Sequence, residues 1–348
     1  MWLRNCWQAA AMSHEVGEAI LARTFLGEPV ILYRQRAGAV VALADRCAHR
    51  FLPLSKGRLV DDTVQCGYHG MRYDGTGRCV RVPGQEQIPS KAAVRVYPVF
   101  ERYRMAWIWM GDPDRADPAL VPDFHWLDAA DWVACQGYHH VAADYRLLND
   151  NLLDLSHESF VHTETIGNAA VADSPLTVTV EGSVVRAHRE IYDCPPPPFY
   201  VEAAGFSTNI DRWHTTFYTP PGFHVIKNGS MPAGLGKAAA RARHLARERR
   251  VMNMITPETA ATSHYFWAIA RSYALDDAAL TDYIRRETAR TFDQDADILA
   301  AQQHSLGADP DTAFPVALRA DLGAIQGRRV LAAAIEREAA GGAGTGRG

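Results

Sequence analysis

Apolar residues over positions 28–45 fall in two runs, EPVILYRQ and GAVVALAD, parted by a Gly-containing turn; this pattern predicts a β-hairpin. VQCGYHGMRYDGTGRCVRV (64–82) breaks into short strands, with DGTG at 74–77 closing a turn. VRVYPVF and RMAWIWMGD add two further strands. Residues 1–115 are therefore expected to form a small β-rich domain, ending in the Pro/Asp-rich linker GDPDRADPALVPDF (111–124).

The texture then changes, and residues 125–340 read as a second, α+β domain. DYRLLNDNLLDLSHESFVH (144–162) places Leu147, Leu148, Leu152, Leu153 and Leu155 at helical spacings. LTVTVEGSVVRAHREI alternates on both sides of EG and predicts a hairpin, and SHYFWAIARSYA (263–274) predicts an aromatic-rich strand. From Asp276 the pattern is helical, through LTDYIRRETARTFDQDADILAAQQ and IQGRRVLAAAIEREAA. CPPPPFY (194–200) is expected as a polyproline II surface segment, KAAARARHLARERR (237–250) as a solvated helix or loop with a docking face for an acidic partner as the alternative, and the tail GGAGTGRG as disordered.

Composition narrows the classes. With 47% hydrophobic and 22% charged residues, the chain is that of a globular protein with a sizeable core. Lys and Arg number 36 against 40 Asp and Glu, and a net charge of −4 argues against a nucleic-acid partner. The first twenty residues lack the apolar block of a signal peptide, and no apolar run approaches the ~20 residues of a membrane span, so no membrane association and a cytoplasmic location are expected. Six cysteines are scattered at 6, 47, 66, 79, 135 and 194, a distribution expected of free thiols plus a metal site. DGTG is not a phosphate loop, because the G-x-G-x-x-G spacing fails and no helix follows.

CAHRFLPLSKGRLVDDTVQCGYHG (47–70) pairs Cys47 with His49 and Cys66 with His69. Zinc fingers pair Cys with Cys and His with His. A mixed pair on each of two loops instead lets both thiolates reach one iron and both imidazoles the other, as a [2Fe–2S] centre of Rieske type requires. This stretch resembles the Rieske domain of the bacterial Rieske non-haem iron oxygenases, with Ala48 where a Pro is usual.

Such a cluster alone moves electrons, and a carrier needs only the first domain. The rest of the chain supplies NDNLLDLSHESFVH (149–162), with Asn151, Asp154, His157 and His162. The H-E-x-x-H zinc-protease reading fails on spacing. Five steps rotate about 500° at 3.6 residues per turn, so His157 and His162 converge only if the helix ends or bulges near Ser159. Two His and one carboxylate form the facial triad of non-haem Fe(II) oxygenases, which leaves positions open for O2 and substrate. In TFDQDADILAAQQ, Asp295 shares a helical face with Phe292, Ile298 and Leu299, while Asp293 and Asp297 lie off it, so Asp295 is the expected third ligand.

DNLLDLSHESFVH, RNCWQAA, WIWMGDPDRADPALVPDF, ITPETAATSHYFWAIARSY and IQGRRVL together resemble the vanillate and dicamba O-demethylase oxygenases. The resemblance implies an oxidative O-demethylase of a methoxylated aromatic, carrying a Rieske [2Fe–2S] cluster and a mononuclear Fe(II). Related N-dealkylases and methyl or ring hydroxylases share the motifs. It also implies a head-to-tail homotrimer in which an Asp bridges a Rieske His of one subunit to an iron-binding His of the next; Asp154 stands where that bridge belongs, and His69 is the residue expected to hand the electron over. Asn151 is expected at the open side of the iron. Asn253 falls near the position where the dicamba enzymes carry a His that anchors the substrate carboxylate, with Lys227 and Asn228 as alternatives. No flavin or nicotinamide fingerprint is present, so a ferredoxin and/or flavin reductase must deliver electrons from NAD(P)H. The excess of Arg46, Arg50, Lys56, Arg58, Arg72, Arg78 and Arg81 over Asp61, Asp62 and Asp74 is a candidate docking face for it.

Overall fold

The structure is a computed structural model describing residues 1–235, 245–307, 314 and 316–343. Of the basic run 237–250, residues up to His244 lie outside the described residues, as do 344–348 of the tail. The chain divides into two compact units, one formed by Trp2–Asp123 with Thr256–Thr259, the other beginning at Phe124.

The first unit is built from β1 (Trp7–Met12), β2 (Leu21–Phe25), β3 (Glu28–Arg34), β4 (Val40–Ala44), β5 (Arg58–Val60), β6 (Thr63–Gln65), β7 (Arg72–Tyr73), β8 (Cys79–Arg81), β9 (Val96–Tyr97), β10 (Val99–Arg102) and β11 (Met105–Trp109). They form three sheets, in the orders β2-β3-β4-β9, β1-β11-β10 and β5-β6-β7-β8. The unbroken apolar run VILY in β3 has a packing reason. Val30 and Leu32 enter one core with Ala10 and Ile108, while Ile31 and Tyr33 enter a second core with Leu54, Val64, Cys47 and Cys66. A strand buried on both faces has no polar face to alternate with. In the linker, Asp112 and Asp117 each cap a short 3-10 turn that starts at the following Pro, whose fixed φ suits that position. Thr256–Thr259 joins this unit through Leu26 N–H to Pro257 O, at 2.9 Å, and Thr256 Oγ1 to Ala9 O, at 2.8 Å.

The second unit holds β12 (Val133–Val141), α1 (Tyr145–Leu153), α2 (Glu158–Val161), α3 (Ala169–Asp173), β13 (Thr177–Glu181), β14 (Val184–Cys194), α4 (Pro198–Ala204), β15 (Ile210–Thr219), β16 (Phe223–Pro232), β17 (Arg247–Pro257), β18 (Ser263–Arg271), α5 (Ala278–Leu306) and α6 (Leu322–Ala343). The strands make one seven-stranded sheet, ordered β12-β18-β17-β16-β15-β14-β13. Two tryptophans are accommodated by glycines directly opposite. Trp267 faces Gly137 and Trp213 faces Gly229, and a Cβ at either glycine would lie 2.0 or 1.9 Å from the indole. α5 is started by Asp277, whose carboxylate accepts from Leu280 N–H at 2.8 Å.

Three sequence expectations are corrected. Residues 247–250 of KAAARARHLARERR are not a solvated helix or loop: they open β17, and Arg249 is buried. CPPPPFY is not a surface polyproline segment: Pro198 opens α4, and Phe199 and Tyr200 are buried. Ile298 does not share the buried face of Asp295; it is 51% exposed, because α5 buries only a narrow stripe through Phe292, Asp295 and Leu299. No helix among the described residues is long and apolar enough to cross a membrane.

Candidate metal centres

The Cys47 and Cys66 loops are built alike. Cys47 N–H donates to Leu52 O (2.9 Å) and Phe51 N–H to Cys47 O (3.0 Å); Cys66 N–H donates to Met71 O (2.8 Å) and Gly70 N–H to Cys66 O (3.1 Å). Each loop closes through a residue with positive φ, Phe51 (+61°) and Gly70 (+72°). The Phe51 ring lies against the Arg46 guanidinium, 3.7 Å from the ring centre. The loops also require glycines where backbones meet: a Cβ at Gly57 would stand 2.0 Å from Gln65 O, and one at Gly67 2.5 Å from Lys56 O.

These loops bring Cys47, His49, Cys66 and His69 together as two pairs. The thiols are buried, each 2% exposed, and the imidazoles are exposed, with His49 Nδ1 3.1 Å from His69 Nδ1. Burial, with Cys47 beside it, pushes the Cys66 thiol above its usual range, although the Tyr68 and His69 amides oppose this. A thiolate pair here therefore needs cationic charge to sustain it. Among the described residues, only His157, His162 and Asp295 bring three ligand atoms within 4.8 Å of one another, so the two thiols and two imidazoles do not converge on one ion. A thiol pair and a separate imidazole pair suit a binuclear cluster and not a single zinc.

The triad forms where α1 ends. Asp154 caps a 3-10 turn over Leu155–His157, α2 is one turn long, and His162 follows it with φ −110° and ψ 30°. The helix is broken twice, at Asp154 and after Val161, and the two imidazoles converge, 5.2 Å between ring centres. His157 Nε2 and His162 Nε2 lie 3.4 and 3.1 Å from Asp295 Oδ1. The far nitrogens are tied to oxygen: His157 Nδ1–H donates to Asp154 O at 2.6 Å, and His162 Nδ1–H to Gln294 Oε1 at 2.9 Å. Those donors fix the tautomer that leaves each Nε2 lone pair facing Asp295, as a metal site requires. Burial alone would lower the His162 pKa, but Asp295 and Gln294 hold it above its usual value. Asn151 Nδ2 donates to Asp295 Oδ1 at 3.2 Å, and Asp295 is 4% exposed. The Asp154 carboxylate accepts from Ser156 N–H at 2.9 Å.

A pocket adjoins the triad, with Leu155, Ile226, Val251, Phe199, Tyr200 and Phe292 among its apolar lining. Its polar wall comes from the sheet, where register sets His214, Asn228 and Arg249 in one row across β15 to β17. Arg212 lies beside this row, with Nη2 3.2 Å from Glu158 Oε2 and 2.7 Å from His214 Nε2. Burial and then Arg212 push His214 well below its usual pKa, so it is neutral.

A profile of the vanillate O-demethylase oxygenase C-terminal domain matches residues 141–337, and one of the Rieske [2Fe–2S] domain matches residues 6–98. The chain belongs to the Rieske non-haem iron oxygenases. It is similar to the iron-sulfur subunit of the toluene-4-sulfonate monooxygenase system of Comamonas testosteroni, 39% identical over 97% of this chain and 98% of that protein. It is 36% identical to the vanillate O-demethylase oxygenase subunit of Pseudomonas sp. (strain HR199 / DSM 7063), over 98% of this chain and 97% of that one. The crystal structure of dicamba monooxygenase bound to 3,6-dichlorosalicylic acid superposes with a TM-score of 0.89 at 33% identity, covering 97% of this chain and 99% of that one. Like its relatives, this Rieske oxygenase is an oxidoreductase whose family carries a [2Fe–2S] cluster and a mononuclear iron.

Of the expected substrate contacts, Asn228 lines the pocket and Lys227 faces away, against the Trp126 and Phe217 rings. Asn253 shares the pocket face of β17 with Arg249 and Val251 by strand alternation, but it is fully buried and its Oδ1 accepts from the Tyr265 hydroxyl at 2.8 Å. The lining residues are instead Arg249, Arg212, His214, Phe199 and Tyr200. The available signal for Arg212 and His214 was alternation, which sets both on the inward positions of IDRWHTTFYT; Arg249 precedes the unbroken apolar run VMNMI, which sets no face.

Proposed function

We propose that this chain is the terminal component of a multicomponent oxygenase that O-demethylates a methoxylated aromatic compound. The overall change is ArOCH3 + O2 + 2 electrons + 2 protons to ArOH, formaldehyde and water. The observation that carries it is the His157–His162–Asp295 triad opening onto an apolar, aromatic-walled pocket, in a chain that also holds the paired Cys and His loops. When bound, iron at the triad supplies O2 activation, and the cluster on Cys47, His49, Cys66 and His69 supplies electrons.

The chain's own residues do the rest. Asp154 O and Gln294 hold the two imidazoles in the ligating tautomer, and Asn151 orients Asp295. Phe199, Tyr200 and Phe292 stack on a ring and exclude water from the reacting carbon. Asp154 is half-buried at the break after α1 and His69 is exposed, which supports a homotrimer in which the Asp154 carboxylate of one subunit accepts from the imidazole of a neighbour's His69. Arg46, Arg50, Lys56, Arg58, Arg78 and Arg81 are exposed around the cluster loops and suit an acidic ferredoxin or reductase. The location that keeps the remaining thiols, Cys6, Cys79, Cys135 and Cys194, reduced is the cytoplasm.

A second reading, hydroxylation of an aryl methyl group, is favoured by the 39% identity to the toluene-4-sulfonate monooxygenase subunit. With a surrogate reductase, formaldehyde equimolar with NADH consumed on methoxyarenes supports demethylation. Benzylic alcohol from methylarenes, without formaldehyde from methoxyarenes, selects the second reading. Asp154→Asn is expected to keep both metals and lose most coupled turnover.

A further inference from the structure

The pocket beside the triad carries more positive charge than its own residues answer. Glu158 faces Arg212, and His214 is neutral. Arg249 is different. It is 3% exposed, and no carboxylate among the described residues pairs with it. Its guanidinium lies in the corner made by the Phe199 and Tyr200 rings, 4.6 and 4.4 Å from their centres. Its Nε and Nη1 have no acceptor among the described residues. Asn228, directly opposite on β16, also lines the pocket.

A guanidinium taken out of water with unmet donors destabilises the fold unless another anion meets it. Two aromatic faces hold its charge without consuming its N–H groups. Arginine's planar array of donors matches the oxygens of a sulfonate or a carboxylate. We infer that Arg249 anchors the anionic substituent of an aromatic substrate, a sulfonate or carboxylate, so that the pocket selects charged arenes over neutral ones. This rests on the reading of the pocket as the substrate site. Phe199 and Tyr200 then serve two ends, packing on the substrate ring and holding the guanidinium that grips its oxyanion.

The test uses the iron-loaded, oxidised enzyme, so that binding is measured calorimetrically without turnover. The probes are 4-toluenesulfonate and 4-methoxybenzoate, with methyl 4-tolyl sulfone and 4-methoxybenzamide as neutral counterparts. Wild type is expected to bind one or both anions at least about tenfold tighter than the neutral partner. Arg249→Met is expected to weaken the anion on the order of 100-fold and to leave the neutral compounds nearly unchanged. Arg249→Lys, which keeps the charge but not the fork, is expected to recover part of the loss. Which anion responds separates sulfonate from carboxylate.

A purely structural arginine would lower the melting temperature when removed; here Arg249→Met is expected to melt at or above wild type, because an unanswered buried charge is gone. A wild-type preference for the neutral compounds, or an anion preference that survives in Arg249→Met, overturns the anchor and leaves the oxygenase reading intact. Binding of neither class overturns the pocket assignment, and the anchor falls with it.

Discussion

The Tyr73 hydroxyl lies 3.2 Å from the Cys47 sulfur, and its oxygen accepts from the Ala48 amide, also at 3.2 Å. A cluster-bound Cys47 thiolate can only accept, so the hydroxyl is the donor there, with Met71 Sδ, 3.8 Å away, as its other acceptor. A donor on a cluster thiolate draws off negative charge and favours the reduced, more negative cluster. Tyr73→Phe is expected to lower the cluster's midpoint potential by about 60 mV, the one-electron equivalent of about 1.4 kcal/mol. Redox titration of the visible spectrum checks it, and an unchanged potential removes Tyr73 from the tuning of the site.

Asn151 reaches the same Asp295 oxygen that both imidazoles approach. Removing a group that orients a ligand typically costs 10–100-fold in metal affinity or activity. Asn151→Ala is therefore expected to lose iron from the triad roughly tenfold more readily on dialysis against a chelator, while the cluster spectrum is unaltered. The measurement is iron per chain by elemental analysis, set against cluster absorbance.

Glu158 and Arg212 form a buried ion pair at 3.2 Å, with side-chain exposures of 6% and 0%. Arg212 also donates to Ile166 O and leans on the Tyr200 ring, so it cannot move out to water when its partner is neutralised. Glu158→Gln is expected to destabilise the second unit by about 3 kcal/mol, the cost of stranding a buried charge. Denaturant unfolding read through tryptophan fluorescence would measure it, and a loss under about 1 kcal/mol would mean that the pair contributes little.

How far this chemistry could be read from sequence follows from which contacts are local. Cys47, His49, Cys66 and His69 were legible because each pair sits in one short loop, where spacing alone fixes what the side chains can reach. His157 and His162 were legible as a pair that needed a broken helix, and Asp295 as the acidic residue on a buried helical stripe, even though Ile298 left that stripe. Arg249 was not legible. It stands in a run that reads as solvated basic surface, and only the pairing of β16 with β17 turns that position inward and sets it opposite Asn228. Asn253, two residues beyond Val251 on the same face, was the sequence choice; it is fully buried, with the Tyr265 hydroxyl on its Oδ1. CPPPPFY hid two pocket aromatics because its prolines suggest an extended segment, whereas Pro198 is also well suited to the first turn of a helix.

His224 gives the second unit a defined acid sensitivity. It is fully buried in β16, its Nε2–H donates to Asn149 Oδ1 at 2.9 Å, and burial pushes its pKa from 6.5 down to about 3. The unfolded chain therefore takes up a proton below about pH 6.5 that the folded chain refuses until about pH 3. The stability contributed by a neutral His224 is fully present above pH 6.5 and is lost as pH falls through that window, by up to about 1.4 kcal/mol per pH unit. His214, lowered in the same direction, adds to the slope. His224→Gln keeps a donor for Asn149 and cannot titrate. Between pH 6 and pH 5 its unfolding free energy is expected to fall by about 1 kcal/mol less than that of wild type. Denaturant unfolding at the two pH values checks it, and parallel slopes for the two proteins would show that His224 is protonated in the folded state.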